Sequence, residues 1–111
     1  MNTVAGNEQP FLPIGTGTGN TGFCLRTVNN ESSNDEWTTI DLVCFEGKSL
    51  HIVNGKVVMV LANSRYFENG KFFPLTKGKI QLQSEGAEVF YKDIQIQNIS
   101  KLPDEFEKYF R

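Results

Sequence analysis

Residues 80–85 read Ile-Gln-Leu-Gln-Ser-Glu, so polar side chains fill every second place. If this run is extended, Gln81, Gln83 and Glu85 share one face. Amides and carboxylates complement sugar hydroxyls, donor to acceptor. A solvated face of an antiparallel sheet gives the same pattern. Glu85 precedes Gly86 and is a candidate general base, or an oxygen ligand for a divalent cation beside Gln and water. His51 is the only histidine and could carry a proton near neutral pH. It alternates with Leu50 and Ile52, which places it on the opposite strand face from them. Trp37, the only tryptophan, could stack on a sugar ring or plug one end of a sheet packing. Arg65 could hold a substrate hydroxyl or cover a sheet edge with Tyr66. Asp35, Glu36, Asp41, Glu46, Glu88 and Asp93 complete the acids near these runs. Paired-carboxylate glycoside cleavage needs two of them about 5–10 Å apart, and spacing across strands does not deliver that distance.

Composition limits what these residues can serve. The 111 residues fit one small domain, which buries roughly 60–70% of its unfolded surface. Nine Phe, three Tyr and one Trp argue against disorder. The net charge of −2, with both signs interspersed, offers no basic stripe for nucleic acid. No stretch approaches the roughly 18 apolar residues of a membrane helix. The first ten residues lack the basic and apolar regions of a signal peptide. Cys24 and Cys44 lie in strand-like runs, as buried thiols, a cross-strand disulfide or part of a metal site. Gly17, Gly19 and Gly22 spell a formal G-x-G-x-x-G. A strand-like run, not a helix, follows it, so it reads as a loop rather than a nucleotide cradle.

The elements that must position the chemistry are strands. The variable start 1–35 is irregular over 1–20, holds a strand-like run at 23–28 and gives way to the polar connecting loop 29–36. In 37–47, Ile40, Leu42 and Cys44 alternate with Asp41, Val43 and Phe45. Two apolar runs flank Asn54-Gly55, a pair that accepts the positive φ of a tight hairpin turn. Asn69-Gly70 repeats the signal between Tyr66-Phe67 and Phe72-Phe73, as a small hairpin or a loop pinned by aromatic anchors. Two further strands are expected around the Glu85-Gly86 connection, the second with Phe90, Ile94 and Ile96 on one face. At the end, Phe106, Tyr109 and Phe110 form a helical stripe behind Pro103, Asp104 and Glu105. About six strands and a short docking helix in one domain over 1–111 predict an all-β antiparallel sandwich or barrel. Six strands are few for two layers, so a homo-oligomer could complete it.

The ordered segments "EWTTIDLVCFEG", "HIVNGKVVMVLANSR" and "NGKFFPLTKGKIQLQSEGAEVFYKDIQI" resemble the C-terminal half of the 3-keto-disaccharide hydrolase domain family. The resemblance spans roughly residues 36–100, leaving 101–111 as a helical tail. It rests on Trp37, the Asn54-Gly55-Lys56 turn, and Gly78, Ile80, Leu82, Gln83, Glu85, Gly86 and Phe90. Thr38 stands where the family usually shows Asn. The resemblance implies a concanavalin-like jelly roll, a carbohydrate ligand and a periplasmic or secreted location. It implies cleavage of 3-keto-glycosides, by elimination and hydration or by hydrolysis. Glu85 or His51 would then be the base. Gln81, Gln83, Arg65 and Trp37 would bind substrate, with a divalent metal as one way to stabilise an enolate. The rival readings are a noncatalytic carbohydrate-binding module and a self-associating fragment of such a domain.

Overall fold

The computed structural model describes residues 28–62, 64–84 and 86–110. Five strands lie within them: β1 (Ile40–Phe45), β2 (Lys48–Val53), β3 (Lys56–Leu61), β4 (Arg65–Glu68) and β5 (Lys71–Pro74). β1, β2 and β3 form one antiparallel sheet in that order, and β4 and β5 form a two-stranded ribbon. A short helix, α1 (Asp104–Glu107), runs into a 3-10 turn at Lys108–Phe110. The fold is all-β with a short C-terminal helix.

The turns explain why these strands pair. Each hairpin closes on two residues of positive φ: Glu46 (48°) and Gly47 (76°), Asn54 (49°) and Gly55 (81°), Asn69 (50°) and Gly70 (78°). Two-residue turns of this hand match the right-handed twist of the flanking strands. Asn and Gly tolerate the conformation; Glu46 adopts it against its preference.

Asn54 also anchors the loop that precedes β1. Its Nδ2 donates to the Asn30 carbonyl at 2.8 Å and to Ser32 Oγ at 3.0 Å. Its Oδ1 accepts from the Thr39 amide at 3.0 Å, while its own amide donates to the Thr39 carbonyl at 2.8 Å. Asn30 Nδ2 reciprocates by donating to the Val53 carbonyl at 2.9 Å. The polar stretch after Val28 is therefore pinned to the hairpin tip.

The core lies on one face of the three-stranded sheet. Leu50, Ile52, Val60 and Leu102 are buried together, with Val43, Phe45, Val57, Phe106, Tyr109 and Phe110 packed around them. Among the described residues, the cover of this face is thus the C-terminal segment, and the stripe read from the sequence docks on the domain. Full burial of one such aliphatic side chain contributes about 1.5–3 kcal/mol. Between His51↔Met59 and Ile52↔Val57 the register shifts by one, leaving Val58 as the extra residue. The bulge lets Val57 and Val60, an odd and an even position, both serve the core face.

The segment after β5 departs from expectation. Residues 75–84 and 86–99 carry no strand and are exposed. Alternation creates a face, but a strand also needs a neighbour for its amides and carbonyls, and no described residue supplies one. Asp93, with φ 53°, breaks the extended path between Phe90 and Ile94. These apolar residues consequently face water: Phe90 is 70% exposed, Ile94 69% and Ile96 84%.

Candidate functional site

The face opposite the core carries His51. Register sets His51 between Leu42 of β1 and Met59 of β3. Ile40 and Cys44 lie on the same side of β1 as Leu42, and Ser49 and Val53 on the same side of β2 as His51. Ile40, Leu42 and Cys44 are exposed; His51 and Met59 are half-buried. Burial pushes the His51 pKa below its ordinary value, because water is withdrawn from the charged imidazolium. A neutral imidazole at neutral pH keeps a lone pair and can accept a proton. The adjacent bulge is the kind of irregularity that re-aims a side chain.

The other residues expected at a site do not converge on His51. Gln81 and Gln83 are exposed on a segment without strand, so their common strand face is not formed. The Gln83 carbonyl accepts a 2.6 Å hydrogen bond from the Tyr91 hydroxyl, which holds the two sides of the Gly86 turn together. Glu85 lies outside the described residues, as do Cys24 and the Gly17, Gly19, Gly22 motif. Arg65 opens β4 opposite Pro74, on the ribbon beside the stacked Tyr66 and Phe73 rings. Trp37 is 55% exposed, so it does not plug a sheet packing. The Lys92 ammonium sits 4.2 Å from its ring centroid and covers one ring face. Of the readings open for Cys44, the structure shows a free thiol, exposed rather than buried, because its side of β1 is the open one.

A shallow open hollow of about 370 Å³ lies on the core side, between the sheet and α1. Asp41, Val43, Ile52, Gly55, Glu105 and Phe106 line it. Asp41 was visible among the acids of the sequence. Glu105 was read only as a helix-start residue, since nothing local signals that α1 folds back over β1. Two carboxylates beside an aromatic ring can accept hydroxyl hydrogens. With no basic side chain among the lining residues, they oppose the negative charge of an enolate. Among the described residues, no three His, Cys, Asp or Glu side chains are grouped to hold a metal ion. None of their helices is long and apolar enough to cross a membrane.

The family described as "3-keto-alpha-glucoside-1,2-lyase-like domain" matches residues 6–97. The chain belongs to this family. The match covers most of the 111 residues and begins well before residue 36, where the resemblance read from the sequence starts. No curated protein and no solved structure matches the chain. Membership in this lyase-like family makes carbohydrate chemistry the context in which the His51 face and the Asp41–Glu105 hollow are weighed.

Proposed function

We propose that this 3-keto-alpha-glucoside-1,2-lyase-like domain cleaves 3-keto-glycosides by elimination across C1 and C2, with His51 taking the C2 proton. The observation that carries this reading is the family match over residues 6–97. A ketone at C3 acidifies the C2 hydrogen, because the carbanion delocalises onto the carbonyl oxygen. The C2–H bond breaks and its electron pair becomes the C1=C2 bond. The C1–O bond breaks, and the departing oxygen takes a proton. Water then adds across the double bond, hydroxyl to C1 and hydrogen to C2, releasing the 3-keto sugar.

His51 suits the first step for a stated reason. Its burial favours the unprotonated ring, and the apolar neighbours Leu42 and Met59 place no carboxylate against a developing enolate. Ser49, two places earlier on the same side, offers a hydroxyl donor to the carbonyl oxygen. Glu85 is the competing base, with Gln81, Gln83, Arg65 and Trp37 as proposed sugar contacts. A periplasmic or secreted site of action goes with the family resemblance.

The test is turnover of a 3-keto-disaccharide in D₂O by wild type, His51→Gln and Glu85→Gln. Loss of a general base lowers the rate by roughly 10²–10⁴-fold. The proposal expects that loss in His51→Gln, with deuterium at C2 of the wild-type product faster than spontaneous exchange. Equal rates for wild type and His51→Gln would remove His51 as base. No wild-type cleavage would remove the lyase reading itself and leave glycan titration to test a binding module.

A further inference from the structure

We infer that this domain pairs with a second copy of itself, the outer edge of β1 in one copy taking residues 79–83 of the other as an added antiparallel strand. β1 pairs only with β2, so its outer edge is open among the described residues. Such an edge presents unpaired amides and carbonyls that accept another strand. Residues 79–83 have the alternation of a strand but no pairing, and every one is exposed. The apolar side chains at the two partners are exposed to a similar degree: Ile40 69% and Leu42 46%, Ile80 70% and Leu82 51%.

Charge selects this pair of surfaces. Residues 35–46, spanning β1, hold Asp35, Glu36, Asp41 and Glu46 with no Lys or Arg. Residues 71–84 hold Lys71, Lys77 and Lys79 with no Asp or Glu. An edge-to-edge pairing of β1 with β1 would set acids against acids, so the complementary partner of β1 is the lysine-bearing segment. Because each copy offers both surfaces, the contact can form twice about a two-fold axis.

One register satisfies both terms. Setting Leu42 opposite Ile80 puts Ile40 opposite Leu82, on the open face beside His51. The same register sets Asp41 opposite Gln81 and diagonal to Lys79, within reach of a long side chain. The added strand extends the open apolar face of β1–β3 by Ile80 and Leu82 of the second copy.

The experiment is light scattering of the intact chain under reducing conditions across a wide concentration range. The expected mass is twice the 12.5 kDa of one chain. Leu42→Lys and Ile80→Lys should each weaken the dimer at least tenfold. Lys79→Glu should weaken it, and adding Asp41→Lys should restore it. All four positions are exposed, so each variant should keep its fold and still unfold cooperatively in urea. A strict monomer at every concentration overturns the inference, as does a dimer indifferent to Leu42→Lys and Ile80→Lys. Amide protection of residues 79–83 in a monomer also overturns it, since their own chain would then cover them.

Discussion

Asn54 supplies two separable contributions at one position, a positive φ and a three-bond anchor for the loop before β1. Asn54→Gly keeps the backbone conformation and removes the hydrogen bonds to Asn30, Ser32 and Thr39. Each bond nets about 0.5–1.5 kcal/mol, and these are solvent-exposed, so the low end applies and the sum is about 1–2 kcal/mol. Asn54→Ala loses the same bonds and, unlike Gly, keeps a Cβ at φ 49° without the polar side chain that lets Asn adopt it, adding about 1–2 kcal/mol over the Gly variant. Asn54→Asp keeps the acceptor for the Thr39 amide and loses both donors, so it should fall between wild type and Ala. The assay is urea unfolding at pH 7, with thermal melts alongside. For a domain of this size, 1 kcal/mol moves the melting temperature by about 4–8 °C. The Gly variant should therefore melt roughly 5–15 °C lower and the Ala variant lower still. If Asn54→Gly matches wild type, the anchor contributes nothing. If Ala and Gly are equal, the positive φ is not what this position requires.

Other expectations follow from the same structure. Leu50 is fully buried at the centre of the core, so Leu50→Ala should cost about 2–5 kcal/mol in chemical denaturation. Glu46 holds φ 48°, so Glu46→Asn should stabilise the first hairpin by about 0.5–1 kcal/mol, read as a higher urea midpoint. His51 has a folded pKa below the unfolded value of about 6.5, so the unfolded chain binds more protons across that window. Stability from this group is present above pH about 6.5 and lost as pH falls through the folded pKa. His51→Gln should flatten that acid limb in pH-dependent melts. Lys92→Ala uncovers one face of Trp37, the single tryptophan, and should change its fluorescence emission; an unchanged spectrum would contradict the 4.2 Å contact.

Much of the fold could be read locally. Asn54-Gly55 and Asn69-Gly70 both close hairpins, because two adjacent residues tolerant of positive φ specify that turn by themselves. The stripe of Phe106, Tyr109 and Phe110 identified a docking tail, since one apolar face on a short helix has to be covered. His51 was legible as a residue turned away from Leu50 and Ile52, which follows from alternation alone. The Glu46-Gly47 turn was less visible, because Glu carries no signal for positive φ.

The sequence by itself determined the two Asn-Gly hairpin turns between Ile40 and Pro74, the helical tail, and which side of β1 and β2 a residue takes. Only the tertiary structure decided what covers each side. It laid Leu102 and Phe106 over Leu50 and Ile52, brought Glu105 to the hollow that Asp41 lines, and left Ile40 and Leu42 open next to His51. It also left Ile80, Leu82 and Phe90 unpaired despite their alternation. The reason is physical: turn conformation and side-chain direction are set by neighbouring residues, whereas strand pairing and burial depend on which distant surface arrives to satisfy them.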